Sequence, residues 1–265
     1  MSRNQDEAAQ ALSQKLRDAE SDAVKHILAG EPTMEKCCKA AWNAHGFADA
    51  MVDKHRHPES PPVACRDRCH WCCYQTIVVA APEVLRIVEY LATELNEQER
   101  ADIVHKLREL DKRTRNLTSE ERDKLRAPCA FLRGKRCSVY PVRPMACAGF
   151  TSYKVADCKK AYKHGFKEDS VVSEIATRAS FRGVFHGLID GIREKLPEGD
   201  SGVLELTAAV LDALDCESIV EQWREGRSVF DRAHRKAEAI DRWSTPYPNY
   251  APFGFVYSHL NRLHS

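Results

Sequence analysis

Eight of the eleven cysteines in this 265-residue chain fall into two groups, and nothing else in the sequence restricts the fold so strongly. Cys65, Cys69, Cys72 and Cys73 make the first group; Cys129, Cys137, Cys147 and Cys158 make the second. Residues 74–127 hold no cysteine. Cys37, Cys38 and Cys216 lie outside both groups in stretches of helical character, where burial or a spare thiol is the simpler reading. Thiols gathered this way point first to metal binding, because a reducing compartment gives no reason to keep so many as disulfides.

The first group reads CRDRCHWCC. A Cys-x2-Cys step lets two thiolates on one tight turn face one ion, a spacing that recurs in structural zinc and iron–sulfur sites. The second group has wider gaps and lies among Pro128, Gly134, Pro141, Pro144 and Gly149, so residues 127–150 read mostly as loop. A metal crosslink would order such a loop, since thiolate–metal binding contributes folding free energy directly. Eight thiols divide into two four-ligand sites or make one polynuclear site. Adjacent Cys72 and Cys73 hint at two centres, because neighbouring side chains diverge in direction.

Charge fits the same reading. Thiolates crowded round a cation leave net negative charge, and Arg66 and Arg68 lie inside the first group. Lys124, Arg126, Arg133, Lys135, Arg136, Arg143 and Lys154 follow with no Asp or Glu among residues 124–154. Cationic neighbours favour the ligating thiolate. Three other readings stand beside this one: packed thiols, disulfides, and a basic patch for nucleic acid. His55, His57 and His70 near the first group read as surface or packed residues, and Trp71 as packing beside the site.

Hydrophobic residues make up 43% and charged residues 30%, the balance of a globular chain. No run of about 18 apolar residues exists, so no membrane span is expected. Residues 1–20 lack the apolar stretch of a secretory signal, and the expected location is cytoplasmic. The net charge of +1 gives no global attraction to nucleic acid or membrane. A metal ion is the expected partner, and the sequence names no protein partner. No Ser-His-Asp order, P-loop or GxGxxG supports a hydrolase or nucleotide-binding reading.

The expected fold class is mainly α: a helical protein with a Cys-rich, loop-containing centre and at most a few short strands. Three segments are expected: an N-terminal helical segment 1–60, a Cys-cluster domain 61–167 and a C-terminal helical segment 168–265. Residues 5–29 are rich in helix formers, and a second helix starts near Pro32 and runs towards Lys54. The cluster HPESPP at residues 57–62 breaks the chain. Residues 76–80 suggest one small strand, followed by a helix with Pro82 in its first turn and Val84, Leu85, Val88, Leu91 and Leu95 at helical spacing. Asn96 and Glu99 suggest a capping box, and a short strand is expected at 137–140. Ile175, Phe181, Phe185, Leu188 and Ile192 mark an apolar stripe, with further helices at 204–214 and 219–240. The tail from Trp243 is too irregular for a helix.

Taken together, these residues resemble the YkgJ-type CxxCxxCC cysteine-cluster family, described as zinc- or iron-chelating. The family's first element is similar to CRDRCHWCC, although the first gap here is three residues instead of two. Its second resembles CAFLRGKRCSVYPVRPMAC at 129–147, including the Arg143-Pro144 pair, and its third looks like Cys158 with the short helix that follows. The resemblance covers about residues 65–166. It implies that Cys65, Cys69, Cys72, Cys73, Cys129, Cys137, Cys147 and Cys158 are all metal ligands, for zinc or for iron, including a [4Fe–4S] cluster. Flagellin lysine-N-methylases look like distant relatives, which keeps a cluster-dependent modifying enzyme open as the alternative function. Cys65-x3-Cys69-x2-Cys72 is also similar to the radical-SAM triad, but such enzymes need a (β/α) barrel that these helical patterns do not supply.

Overall fold

The computed structural model describes residues 3–166, 171, 173–196 and 201–233. It is mainly helical. Helix α1 (Arg3–Ile27) is followed by Gly30, which takes a positive φ of 71°. Helix α2 (Met34–His55) begins at Thr33, whose hydroxyl accepts from the Lys36 N–H at 3.3 Å. The Thr33 cap, rather than Pro32, fixes where α2 begins.

The strand expected at 76–80 shrinks to β1 (Val78–Val79), which pairs antiparallel with β4 (Leu204–Glu205). Helix α3 (Ala81–Thr93) follows at once, with Pro82 in its first turn. In α4 (Glu97–Thr114), Asn96 caps the Glu99 N–H at 2.9 Å, while the Glu99 carboxylate reaches Arg133 at 2.9 Å. The short helix α5 (Ser119–Leu125) was not legible in the sequence. It opens with a capping box in which Thr118 and Glu121 exchange bonds.

Within the loop region, β2 (Leu132–Arg133) and β3 (Arg136–Cys137) form a hairpin closed by Gly134 and Lys135, with Gly134 at a φ of 63°. A 3₁₀ turn (Tyr140–Val142) and helix α6 (Met145–Ala148) follow, so the strand expected at 137–140 covers only its first residue. Helix α7 (Val155–Lys163) carries Cys158. The paired strands among the described residues are two residues long and antiparallel, which rules out the barrel that a radical-SAM enzyme requires.

Helix α8 (Ile175–Lys195) is the central element. Its stripe residues Phe181, Phe185, Leu188 and Ile192 are buried, as expected, while Ile175 stays half-exposed. A second seam runs along α8 at Gly183, Gly187 and Gly191. A Cβ at Gly183 would stand 2.4 Å from the Ser13 carbonyl oxygen, and one at Gly187 would stand 2.4 Å from that of Arg17. Helix α1 therefore lies against α8 at backbone contact, and Arg17 pairs with Asp190 across the seam.

Helix α9 (Leu206–Asp215) packs on α3 and α4, with Glu205 capping its N-terminus. The buried Arg122 of α5 pairs with Glu205 and also reaches Thr207 at 3.2 Å. The helix expected over 219–240 is interrupted. Helix α10 (Ile219–Arg224) closes at Gly226, whose φ is 77°, with Arg227 donating back to the Gln222 carbonyl. Residues 234–240 and the tail from Trp243 lie outside the described residues. One apolar core joins Val24 of α1, Ala44 of α2, Leu85 of α3, Phe131 of the hairpin loop, Phe185 of α8 and Val210 of α9. No helix among the described residues is long and apolar enough to cross a membrane.

Candidate metal centre

The eight clustered cysteines come from four stretches of chain and are all free thiols. Cys65 and Cys69 flank a turn closed by the bond from Cys69 N–H to the Arg66 carbonyl at 3.0 Å. The extra residue of this gap is taken up by Arg68, which adopts a left-handed φ of 65°. A second turn, from Cys73 N–H to the His70 carbonyl at 3.0 Å, places Cys72 and Cys73. Gln75 and Thr76 then lead to β1, and Asp123 of α5 fixes Thr76 by accepting from its N–H and hydroxyl at 3.2 and 3.3 Å.

The second group is brought in by three devices. Cys129 N–H donates to the Cys73 carbonyl at 2.7 Å, joining the two groups directly. The hairpin sets Cys137 opposite Leu132. The buried Glu83 of α3 accepts from the Met145 N–H at 2.7 Å and from the Ala80 N–H at 2.9 Å, which fixes the start of α6 and so Cys147. Burial raises the Glu83 carboxyl to about 7, opposed by those two N–H donors.

Cys158 reaches the first group by a different route. Tyr162, one turn further along α7, packs edge-on against Trp71 and Tyr74 with ring centroids 5.6 and 4.8 Å away. Ser152 completes the join. Its carbonyl accepts from Ala64 N–H at 2.7 Å, and Ser152 opposes the effect of burial on both the Cys65 and the Cys158 thiols. Neither Tyr162 nor Ser152 was legible as a site residue, because each acts through a contact with a distant part of the chain. Trp71 packs beside the site, as expected, stacked on His70 at 5.0 Å.

The thiols also sense one another. Burial pushes Cys147 well up, and the neighbouring Cys129, Cys72 and Cys137 push the same way. Burial raises Cys129 to about 12 and Cys158 to about 11. Burial also raises Cys65 and Cys137. Cys72 is lowered by the hydrogen bond from Cys73, whose own thiol is raised by the same bond. Arg143 opposes the burial at Cys65, Cys137 and Cys147 and helps hold Cys72 down, so one guanidinium serves thiols from both groups. The thiols raised by burial hold their protons, so an ion binding to them must displace those protons.

The donor set fits a soft or borderline metal: thiols, backbone N–H groups aimed at sulfur, and a nearby cation. Phe131 N–H donates to Cys129 and Val139 N–H to Cys137, each two residues beyond the cysteine. Among the described residues no three Cys, His, Asp or Glu side chains converge on one point as closely as bound ligands do.

Residues 64–169 match the family model of the CxxCxxCC domain, described as a putative zinc- or iron-chelating domain. The matched stretch begins one residue before Cys65 and includes all of α7. No curated protein and no solved structure matches the chain.

The three remaining cysteines lie outside the matched stretch. Cys37 and Cys38 are buried in α2, where burial raises the Cys37 thiol to about 12 and that of Cys38 further, with Glu89 adding to the second. Cys216 caps α9. The basic run also has internal work to do. Lys124 pairs with Glu120, Arg126 caps α7 through the Lys163 carbonyl, Arg133 pairs with Glu99 and Arg136 binds Asp67 through two bonds.

Proposed function

We propose that the protein is a cytoplasmic metal-binding protein whose Cys-cluster unit, residues 61–167, chelates zinc or iron through all eight clustered cysteines, the helical segments 1–60 and 168–265 flanking it. The observation that carries this reading is the gathering of eight free thiols from separate stretches, with N–H donors aimed at the sulfurs and Arg143 beside both groups. All-thiolate coordination of zinc leaves no open catalytic position, which favours a structural or metal-handling role. Iron, including a [4Fe–4S] cluster, would supply electron transfer or redox sensing.

Anaerobic purification with metal analysis and an absorption spectrum tests this reading. Brown protein containing iron and acid-labile sulfide identifies a cluster, and colourless protein with stoichiometric zinc identifies a zinc site. Cys72→Ser and Cys147→Ser should each lower bound metal, while Cys216→Ser should not. Equal metal in all three variants overturns the ligand assignment.

A further inference from the structure

Resting on the reading above, we propose that the eight thiols form two separate four-thiolate sites: an outer one of Cys65, Cys69, Cys72 and Cys158, and an inner one of Cys73, Cys129, Cys137 and Cys147. The outer ion is exchangeable and the inner ion holds the fold. The sequence groups the cysteines differently, since Cys158 follows the second group and Cys73 ends the first.

Two contacts exchange those partners. Tyr162 docks α7 onto Trp71 and Tyr74, and Cys158 lies four residues before Tyr162, on the same side of that helix. Ser152, six residues before Cys158, is tied to the start of the first group, its carbonyl accepting from the Ala64 N–H at 2.7 Å. Cys158 lies within electrostatic reach of Cys65, Cys69 and Cys72. On the inner side, the Cys73 carbonyl holds Cys129, and Cys73 is within reach of Cys129 and Cys147. Cys147 in turn is within reach of Cys129 and Cys137. Cys72 touches both sets, but the inner four are complete without it, whereas Cys65, Cys69 and Cys158 need a fourth ligand. As chain neighbours, Cys72 and Cys73 can serve different ions.

The two sites differ in surroundings. Cys129 and Cys137 pack against the main apolar core. Cys65 is exposed, as is the whole of Arg66, Asp67 and Arg68 after it. Cys158 itself is buried, so water and competing ligands reach the outer site through its Cys65 edge. Arg143 lies within reach of Cys65 and Cys72 on one side and Cys137 and Cys147 on the other, where it offsets the negative charge of both sites.

The test uses the full chain, purified without oxygen, stripped and reloaded with zinc, with ions per chain counted by native mass spectrometry. The wild-type protein should hold two zinc ions. Cys69→Ser and Cys158→Ser should each lose one and keep the other. Challenge of the wild type with a zinc chelator supplies a measurement that needs no variant: release should occur in two phases, with unfolding only in the slower one. One zinc per chain, loss of both ions in Cys158→Ser with its helical content retained, or a single release phase overturns the division into two sites while leaving chelation intact. A chain that binds no zinc or iron at all overturns the underlying reading together with the division.

Discussion

Arg68 is the residue that lengthens the first cysteine gap, and its left-handed backbone is how the turn accommodates the insertion. An L-residue in that conformation costs about 1–2 kcal/mol, and a β-branched one costs more. Arg68→Gly should therefore leave stability unchanged or raise it by up to about 1 kcal/mol, whereas Arg68→Val should lower it by about 1–2 kcal/mol. Urea unfolding of the metal-loaded protein reads both, and equal midpoints for the two variants would show that the turn is not strained. At this scale the candidate ligands were the most legible part of the molecule, because cysteine spacing survives as a local pattern. Ser152 and Glu83 were not. A serine in a loop and a glutamate in a helix carry no mark of the distant sulfur or N–H they will meet.

The same divide appears between α1 and α8. Their existence follows from composition and apolar period, but their contact depends on glycines that a one-dimensional reading counts only as weak helix formers. Gly187 faces the Arg17 carbonyl, while Gly46 on α2 has open space around it. The two positions should answer alanine with opposite signs. Gly46→Ala should stabilise by up to about 1 kcal/mol through helix propensity. Gly187→Ala should destabilise by about 1–3 kcal/mol, because a backbone oxygen cannot step aside. Thermal unfolding of the pair checks this, and destabilisation of equal size in both would sink the close-packing account. Glu20 lies in the same seam, buried, with burial raising its carboxyl to about 8 from an ordinary 4.5. Over that window the folded protein keeps a proton that the unfolded chain releases, so this residue makes stability fall as pH rises from about 4.5 to about 8. In Glu20→Gln that fall should disappear, and a comparison of unfolding midpoints at pH 5 and pH 8 measures it.

For the molecule as a whole, the segment 127–150 owes its order to a two-residue-strand hairpin, two short helical turns and the cysteines they carry. Chelation should make this segment the first to lose hydrogen-exchange protection, while α1 and α8 persist on their own packing. Unchanged protection of 127–150 in metal-free protein would return the thiols to a mere packing role. The overall class was legible because helix periods dominate the chain. The pairing of β1 with β4 was not, because the two strands are short and far apart in sequence. That separation matters again in the α1–α8 clasp, where α1 ends at Ile27 and its partner begins only at Ile175. At about 5–20 residues per second, α1 leaves the ribosome roughly 7–30 s before the helix it fits is made. The whole cysteine region emerges in that interval, so its thiols stand open to the surrounding solution before the enclosing helices can close. On the proposed metal-binding reading, the metal at hand during synthesis, and not only afterwards, sets which fraction of chains reaches the finished fold.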